Sequence, residues 1–189
     1  MVRRFIYVLA VLLLPAAVMA AEQNIVYDKS WITCASRQMG VLVEAEFKKF
    51  SAQIDFNPSR PDTSKIQFAI NTGSFEFDPE VDDEVRGRSW LDSHEFPQAH
   101  FVSSSVRTLG GNRYEALGTL TIKGTSTAVV VPFTYQPDAN GSVFEGAFTI
   151  SRLHYNIGEG KWRDTDTVAD NVQIKVRIVA SGLAASKKQ

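Results

Sequence analysis

Hydrophobic and polar residues alternate along most of this chain, with the period of two that places every second side chain on the same face of a β-strand. In residues 118–133, two such runs meet at Lys123 and Gly124, a pair suited to a tight hairpin turn. The hairpin that this predicts has one apolar face, which an antiparallel sheet must cover with another part of the protein.

The same alternation recurs from end to end of the chain. It is present in residues 41–47, 50–56, 66–70, 114–122, 129–135, 144–150 and 172–180. Its phase resets at Lys48 and Lys49, which predicts a tight turn or a bulge at that point. Turn-forming residues fill the short linkers 57–62, 110–112 and 138–141, so the strands that they join should be antiparallel neighbours.

One segment departs from the strand pattern. Residues 78–86 are typical of a short helix, with Asp78 as its N-cap and Pro79 at its first position. The aromatic residues that follow, between 90 and 97, are expected to pack on an open end of the sheet. About eight strands with polar outer positions favour an all-β fold, an extended antiparallel up-and-down β-barrel with a short helical insertion; a two-sheet sandwich is the alternative.

The first 20 residues have the three parts of an export signal: a positively charged start, an apolar run over residues 5–14, and small residues before a cleavage point after Ala20. The pattern predicts a signal peptide at 1–20, a single mature domain at 21–189 and a location in the periplasm or outside the cell. The apolar run is too short to favour a stable membrane anchor, so only transient membrane contact is expected.

The charge balance argues against nucleic acid as the main partner. The chain has 20 basic and 21 acidic residues, and removal of Arg3 and Arg4 with the signal leaves 18 minus 21, a net charge of −3. Since Cys34 is the single cysteine, no internal disulfide can form, and a hydrophobic core must hold the domain together. Cys34 shares a strand face with Ile32, which predicts a buried and inert thiol.

The sequence lacks the motifs that present catalytic or metal-binding side chains. His94, His100 and His154 have no compact metal-ligand spacing, and no Gly-x-Ser-x-Gly elbow is present to expose a serine nucleophile. The acidic runs at 78–83 and 164–169 lack the glycine that a calcium-binding EF-hand loop requires at its sixth position. We therefore expect neither a metal site nor a catalytic site.

Separate segments that together span nearly all of the mature chain resemble the YceI-like family of exported lipid-binding proteins. They read QMGV (38–41) with FKKF (47–50), WLD (90–92) with FPQAHF (96–101) and Ser103, GTLTIKG (118–124), and RLHYNIGEG (152–160) with VADNV (168–172). Two positions depart from the family pattern, because Gln38 stands where many relatives have His and Ala45 where Gly is common. The mouth near these positions is therefore expected to differ in polarity or width.

The resemblance implies a lipocalin-like barrel whose elongated apolar interior holds a polyisoprenoid chain, such as an octaprenyl compound or a quinone precursor. It implies no cofactor and no catalytic residues. Some relatives are associated with sequestering hydrophobic drugs and others with stress responses. We therefore expect a carrier that encapsulates a hydrophobic small molecule. The alternatives are an enzyme acting on prenyl lipids and an interaction module with a filled core, and either a monomer or a homodimer is compatible with the sequence.

The expected ligand-binding residues are inward-facing apolar side chains. They are Ile32, Cys34, Phe47, Phe50, Phe68, Ile70, Trp90, Phe96, Phe101, Leu120, Ile122, Val131, Phe133, Phe148, Ile150, Trp162 and Ile174. Because a prenyl chain offers only apolar area, discrimination between ligands should come from polar groups near the mouth. The candidates for meeting a head group are Arg86, Arg88, Arg152 and Lys161, with exposed salt bridging as their alternative role.

Overall fold

The computed structural model describes residues 24–138 and 141–181. The predicted signal peptide and the centre of the predicted turn at 138–141 lie outside the described residues. The described part forms β1 (Asn24–Ile25), β2 (Trp31–Gln38), β3 (Val41–Phe47), β4 (Phe50–Asp55), β5 (Lys65–Asn71), β6 (Phe75–Glu76), α1 (Pro79–Arg86), β7 (Gln98–Gly110), β8 (Arg113–Ile122), β9 (Thr125–Asp138), β10 (Gly141–Ser151) and β11 (Asn171–Ser181). Within these residues, no helix is both long enough and apolar enough to span a membrane.

All the strands belong to one sheet, and every pairing in it is antiparallel, as the short linkers predict. Their order is β4-β5-β7-β8-β9-β10-β11-β2-β3-β6, with β1 beside β11. The two end strands, β4 and β6, are not paired with each other in the described residues. The sheet is therefore an open half-barrel of eleven strands, and the prediction of eight strands in a closed barrel is wrong.

The chain passes from β3 to β4 through Lys48 and Lys49 without reversing its direction. β3 pairs with β2 and β4 pairs with β5, and counting the antiparallel pairings around the sheet gives β3 and β4 the same direction. The N–H groups of Lys48 and Lys49 donate to the carbonyl and the hydroxyl of Ser74, both at 3.0 Å. Residues 41–55 therefore form one long strand with a bend, which excludes the tight turn and leaves the bulge, the other form predicted there.

A cluster of aromatic rings closes one end of the half-barrel. Phe56 packs edge-on against Tyr114 at a centroid distance of 4.9 Å and against Phe144 at 5.4 Å. Tyr135 lies 4.9 Å from Phe56, and Phe133 lies 5.6 Å from Tyr114. Edge-to-face and tilted contacts of this kind stabilise a core beyond the area that they bury. The opposite end carries α1 and residues 152–170, and we call it the mouth.

The helix at the mouth has the boundaries that its capping residues predict. The Asp78 carboxylate accepts a hydrogen bond from the N–H of Glu80 at 2.8 Å, as an N-cap does. The buried Asp82 carboxylate accepts from the N–H groups of Phe77 at 2.9 Å and of Asp78 at 3.1 Å. Arg86, in the last turn, donates to the carbonyl of Phe75 in β6. Arg86 thus anchors the last turn of the helix to the sheet.

Candidate binding cavity

A cavity of about 310 Å³ lies inside the half-barrel, between the aromatic cluster and the mouth. Its volume falls within the roughly 300–1,000 Å³ that small-molecule sites occupy. The lining is almost entirely apolar and comes from both the sheet and α1. The hydrophilic side chains in it are Ser36, Gln38, Glu44, Thr72, Glu84 and Arg152. A space of this composition favours an apolar occupant over water or a polar substrate.

The structure brings the expected ligand-binding residues together around this cavity, with two exceptions. The residues that line it are Ile32, Cys34, Phe47, Phe68, Ile70, Trp90, Phe101, Leu120, Ile122, Val131, Phe133, Phe148, Ile150, Trp162 and Ile174. Phe50 instead packs on Tyr27, with ring centroids 5.5 Å apart. Phe96 covers the hairpin turn, where a Cβ on Gly124 would lie 3.1 Å from its ring. Contact of the lining residues with a ligand stays a prediction.

Part of the cavity lining was not predicted from the sequence, because that part comes from the helical insertion. Val81 and Val85 of α1, together with Phe75 and Phe77 just before the helix, complete the wall at the mouth. The signal was present in the sequence: valines four residues apart lie on one face of a helix. The helix therefore contributes to the cavity as well as covering the end of the sheet.

Two tryptophans join the helix to residues 152–170 across the mouth. The rings of Trp90 and Trp162 have centroids 5.5 Å apart. The indole Nε1 of Trp162 donates to a carboxylate oxygen of Glu84 at 2.8 Å. The indole N–H of Trp90 is buried and has no hydrogen-bond partner in the described residues. The pair forms an apolar rim that is held in place from one side by α1.

Arg152 is buried beneath this rim, with an exposed fraction of 1 %. Its guanidinium donates to backbone carbonyls at 2.7–3.3 Å, those of Ile157, Gly158, Trp162, Val168 and Ala169. Burial lowers the pKa of the guanidinium, while the Asp170 carboxylate acts in the opposite direction. An arginine has five N–H donors, so none is left for a ligand. Arg152 therefore has a structural role, contrary to the head-group role expected for it.

The other head-group candidates differ in what they already bind. Arg86 is held by the Phe75 carbonyl and by Asp82, whose carboxylate lies 3.3 Å away. Arg88 is exposed. The Lys161 ammonium lies 4.7 Å from the centre of the Trp162 ring. Arg88 and Lys161 thus keep donors available beside the mouth, and their role toward a head group stays a prediction.

Lys123 is a mouth residue whose role the sequence did not indicate. With Gly124 it forms the two-residue turn of the β8–β9 hairpin. The φ values of the two residues, 46° and 74°, are both positive, as a type I′ turn requires. Its side chain is 7 % exposed, and the ammonium donates at 2.9 Å to the carbonyls of Arg88 and Asn156 and to a carboxylate oxygen of Glu159. The Lys123 ammonium lowers the pKa of the Glu159 carboxyl. One buried ammonium therefore ties both mouth segments to the sheet.

Cys34 is half-buried on β2, where it faces the cavity between Ala45 and Ile174. Burial raises the pKa of its thiol to about 12, and the Glu44 carboxylate adds to the increase. Since the unfolded thiol would ionise first, this group makes the fold less stable as the pH rises above its ordinary pKa of 9.0.

We expect the Cys34 thiol to be nearly unreactive in the folded protein. With a pKa of about 12, about one thiol in ten thousand is ionised at pH 8, and only the thiolate attacks a disulfide reagent. Titration with Ellman's reagent at pH 8 should therefore proceed at least about 100-fold more slowly in buffer than in guanidinium chloride. Equal rates in the two solvents would show that the thiol is open to bulk water.

Comparison with known proteins gives one family and one fold. A model of the YceI-like domain matches residues 24–180. A UPF0312 protein of Pseudomonas fluorescens is 28 % identical over an alignment that covers 89 % of this chain and 93 % of the relative. The crystal structure of Burkholderia cenocepacia BcnA is 42 % identical with a TM-score of 0.81, and the match covers 83 % of this chain and 99 % of BcnA.

A more distant structural match shows the fold alone. A polyisoprenoid binding domain from Saccharophagus degradans, implicated in plant cell wall breakdown, has a TM-score of 0.67 at 12 % identity. The match covers 85 % of this chain and 98 % of that domain. The half-barrel is therefore shared by proteins whose sequences have diverged widely.

Proposed function

Because this chain belongs to the YceI-like family, we propose that it is an exported carrier that encloses a polyisoprenoid, or a similar long apolar molecule, inside the half-barrel without altering its bonds. The observation that carries this proposal is the cavity of about 310 Å³ with its nearly continuous apolar lining. A structural neighbour described as a polyisoprenoid binding domain supports the same class of ligand.

Binding of such a chain would rest on removal of its methylene groups from water. Each buried methylene contributes about 0.8 kcal/mol, offset by the cost of ordering a flexible chain. Apolar contacts distinguish poorly between chains of similar thickness, so hydrophobic drugs are also potential cargo. In this proposal the chain is exported to the periplasm, and its signal peptide is removed by cleavage after Ala20.

An enzyme acting on prenyl lipids is the alternative function, and it requires convergent reactive groups inside the cavity. The hydrophilic residues of the lining are few, and the donors of Arg152 are all bound to carbonyls. Within residues 24–138 and 141–181, no three His, Cys, Asp or Glu side chains are grouped to hold a metal ion. These observations favour the carrier.

Native mass spectrometry of protein purified from the exported fraction tests the proposal. We expect a mass above that of the chain from residue 21, and release of an apolar molecule on extraction with organic solvent. The extracted protein should then take up geranylgeraniol, a C20 prenyl alcohol, in a titration. Finding no bound apolar molecule and no uptake by the extracted protein would overturn the carrier function.

A further inference from the structure

The neighbouring strands β9 and β10 are paired along only part of their length. Their ladder runs from Asp138 opposite Gly141 to Phe133 opposite Gly146, and it stops there. Toward the mouth, β9 stays paired with β8 and β10 stays paired with β11. The two strands therefore diverge, and a pocket of about 390 Å³ lies between them, which we call the wall cleft.

The divergence begins at a position where glycine permits close contact. A Cβ on Gly146 would lie 3.1 Å from the carbonyl oxygen of Pro132 and 3.3 Å from the Cβ of Phe133. The strands can therefore come together at this residue and separate beyond it. The wall cleft is a feature of the strand geometry, and it lies on the mouth side of this contact.

The wall cleft is lined by both strand edges and by the turn that follows β10. Its lining consists of residues 127–130, residues 148–151, His154 and Tyr155. An imidazole nitrogen of His154 lies 2.7 Å from the hydroxyl of Thr127 and bridges the two sides. Since consecutive residues of both strands border it, backbone edges face the wall cleft as well as side chains.

Tyr155 is one of these lining residues, and it carries a buried hydroxyl without a hydrogen-bond partner. The residue is 2 % exposed, and its hydroxyl has no hydrogen-bond partner among the described residues. A buried hydroxyl without a partner destabilises a fold, whereas phenylalanine would keep the same ring contacts without that penalty. A tyrosine in this place points to a partner that comes from outside the described residues.

The chemistry of the lining favours an uncharged partner, since the titratable side chain in it, His154, is already paired with Thr127. The described residues that line the wall cleft include no Lys, Arg, Asp or Glu, and the Ser151 hydroxyl is bound to the Asp170 carboxylate at 3.0 Å. A phosphate would find no ammonium or guanidinium in this lining and would lie near a carboxylate. An alcohol or a quinone oxygen needs only one hydrogen bond on leaving water.

The wall cleft adjoins the binding cavity, because Phe148 and Ile150 line both spaces. We propose that the wall cleft binds the uncharged oxygen-bearing end of the same lipid whose chain fills the cavity, with the Tyr155 hydroxyl as hydrogen-bond partner. This inference rests on the proposed carrier function. It makes the protein selective for prenols or quinones over prenyl pyrophosphates.

Three probes with one C20 prenyl skeleton test this assignment: geranylgeraniol, its pyrophosphate, and the hydrocarbon without a head group. Tyr155→Phe should weaken the binding of geranylgeraniol about tenfold and leave the binding of the hydrocarbon unchanged. Tyr114→Phe, at the closed end of the barrel, is the matched control and should change neither. The wild-type protein should bind the alcohol more tightly than the pyrophosphate.

A cross-linking experiment locates the head group directly. Geranylgeraniol with a diazirine at its oxygen end should label residues 127–130 or 148–155, and Ala128→Trp, at an exposed edge position, should reduce that labelling. Labelling confined to residues 84–90 would overturn the proposal, as would equal losses of alcohol and hydrocarbon binding in Tyr155→Phe. Absence of binding of every probe to the wild-type protein would instead refute the carrier function itself.

Discussion

Replacing Arg152 with methionine is expected to lower the free energy of unfolding by about 3–5 kcal/mol, because several buried carbonyls lose their donor at once. Methionine fills much of the volume but has no N–H group, so the carbonyls that receive hydrogen bonds from Arg152 lose them in a buried site. Urea denaturation followed by tryptophan fluorescence measures the loss, because Trp90 and Trp162 lie beside the guanidinium.

Two further variants separate the possible causes of that loss. Arg88→Met removes an exposed guanidinium from the same end of the protein and should change the free energy of unfolding by less than about 0.5 kcal/mol. Arg152→Lys keeps the charge but has only three donors on one atom, so it should restore only part of the stability. If Arg152→Met unfolds at the same urea concentration as the wild-type protein, the structural role of Arg152 is wrong.

The variant Ile174→Trp is expected to weaken the binding of a C20 prenol about 30-fold. Ile174 is half-buried and lines the cavity on β11, so an indole in its place would occupy the space of two or three ligand methylenes, at about 0.8 kcal/mol each. Because the indole enters existing space, the free energy of unfolding should change by less than about 1.5 kcal/mol. A fluorescence titration and a urea denaturation measure the two quantities.

Gln173, the residue before Ile174, provides the matched control for filling the cavity with an indole. Gln173 is exposed on the same strand with its side chain on the other face, so Gln173→Trp adds the same indole outside the cavity and should leave binding unchanged. A contrary pattern for Ile174→Trp, with a stability loss of several kcal/mol and unaltered binding, would mean that the interior is a packed core.

The fold was predictable from sequence where alternation was long enough to define a strand face. The runs that became β8, β9, β10 and β11 contain four or five inward positions at alternate residues, and they appear in the sheet with the expected antiparallel pairing. The two-residue strands β1 and β6 carry no periodic signal, so the strand count could not be obtained in this way. The prediction of a closed barrel failed for a related reason, because the alternation of residues within a strand does not say whether the two end strands of the sheet pair with each other.

The candidate site was predictable to the extent that it consists of inward-facing positions on strands. A period of two assigns Leu120, Ile122 and Val131 to one face without any knowledge of the contacts. The roles of Arg152 and Lys123 were not accessible, because their partners are mostly backbone carbonyls, which every residue possesses. Phe50 shares the inward face of its strand with Ala52 and Ile54 but packs on Tyr27 outside the cavity lining, and Phe96 lies in an irregular segment that alternation does not describe.

The bend at Lys48 and Lys49 determines how the two ends of the sheet are joined around the cavity. The first half of strand 41–55 bonds to β2 and the second half to β5, so among the described residues no complete hoop of hydrogen bonds encircles the cavity. A closed ring of ladders would fix the circumference of the barrel, whereas here the covalent chain at Lys48 and Lys49 joins the strand paired with β2 to the strand paired with β5. Under the proposed carrier function, we therefore expect the circumference of the half-barrel, and with it the thickness of a ligand that fits, to depend on the angle of this bend.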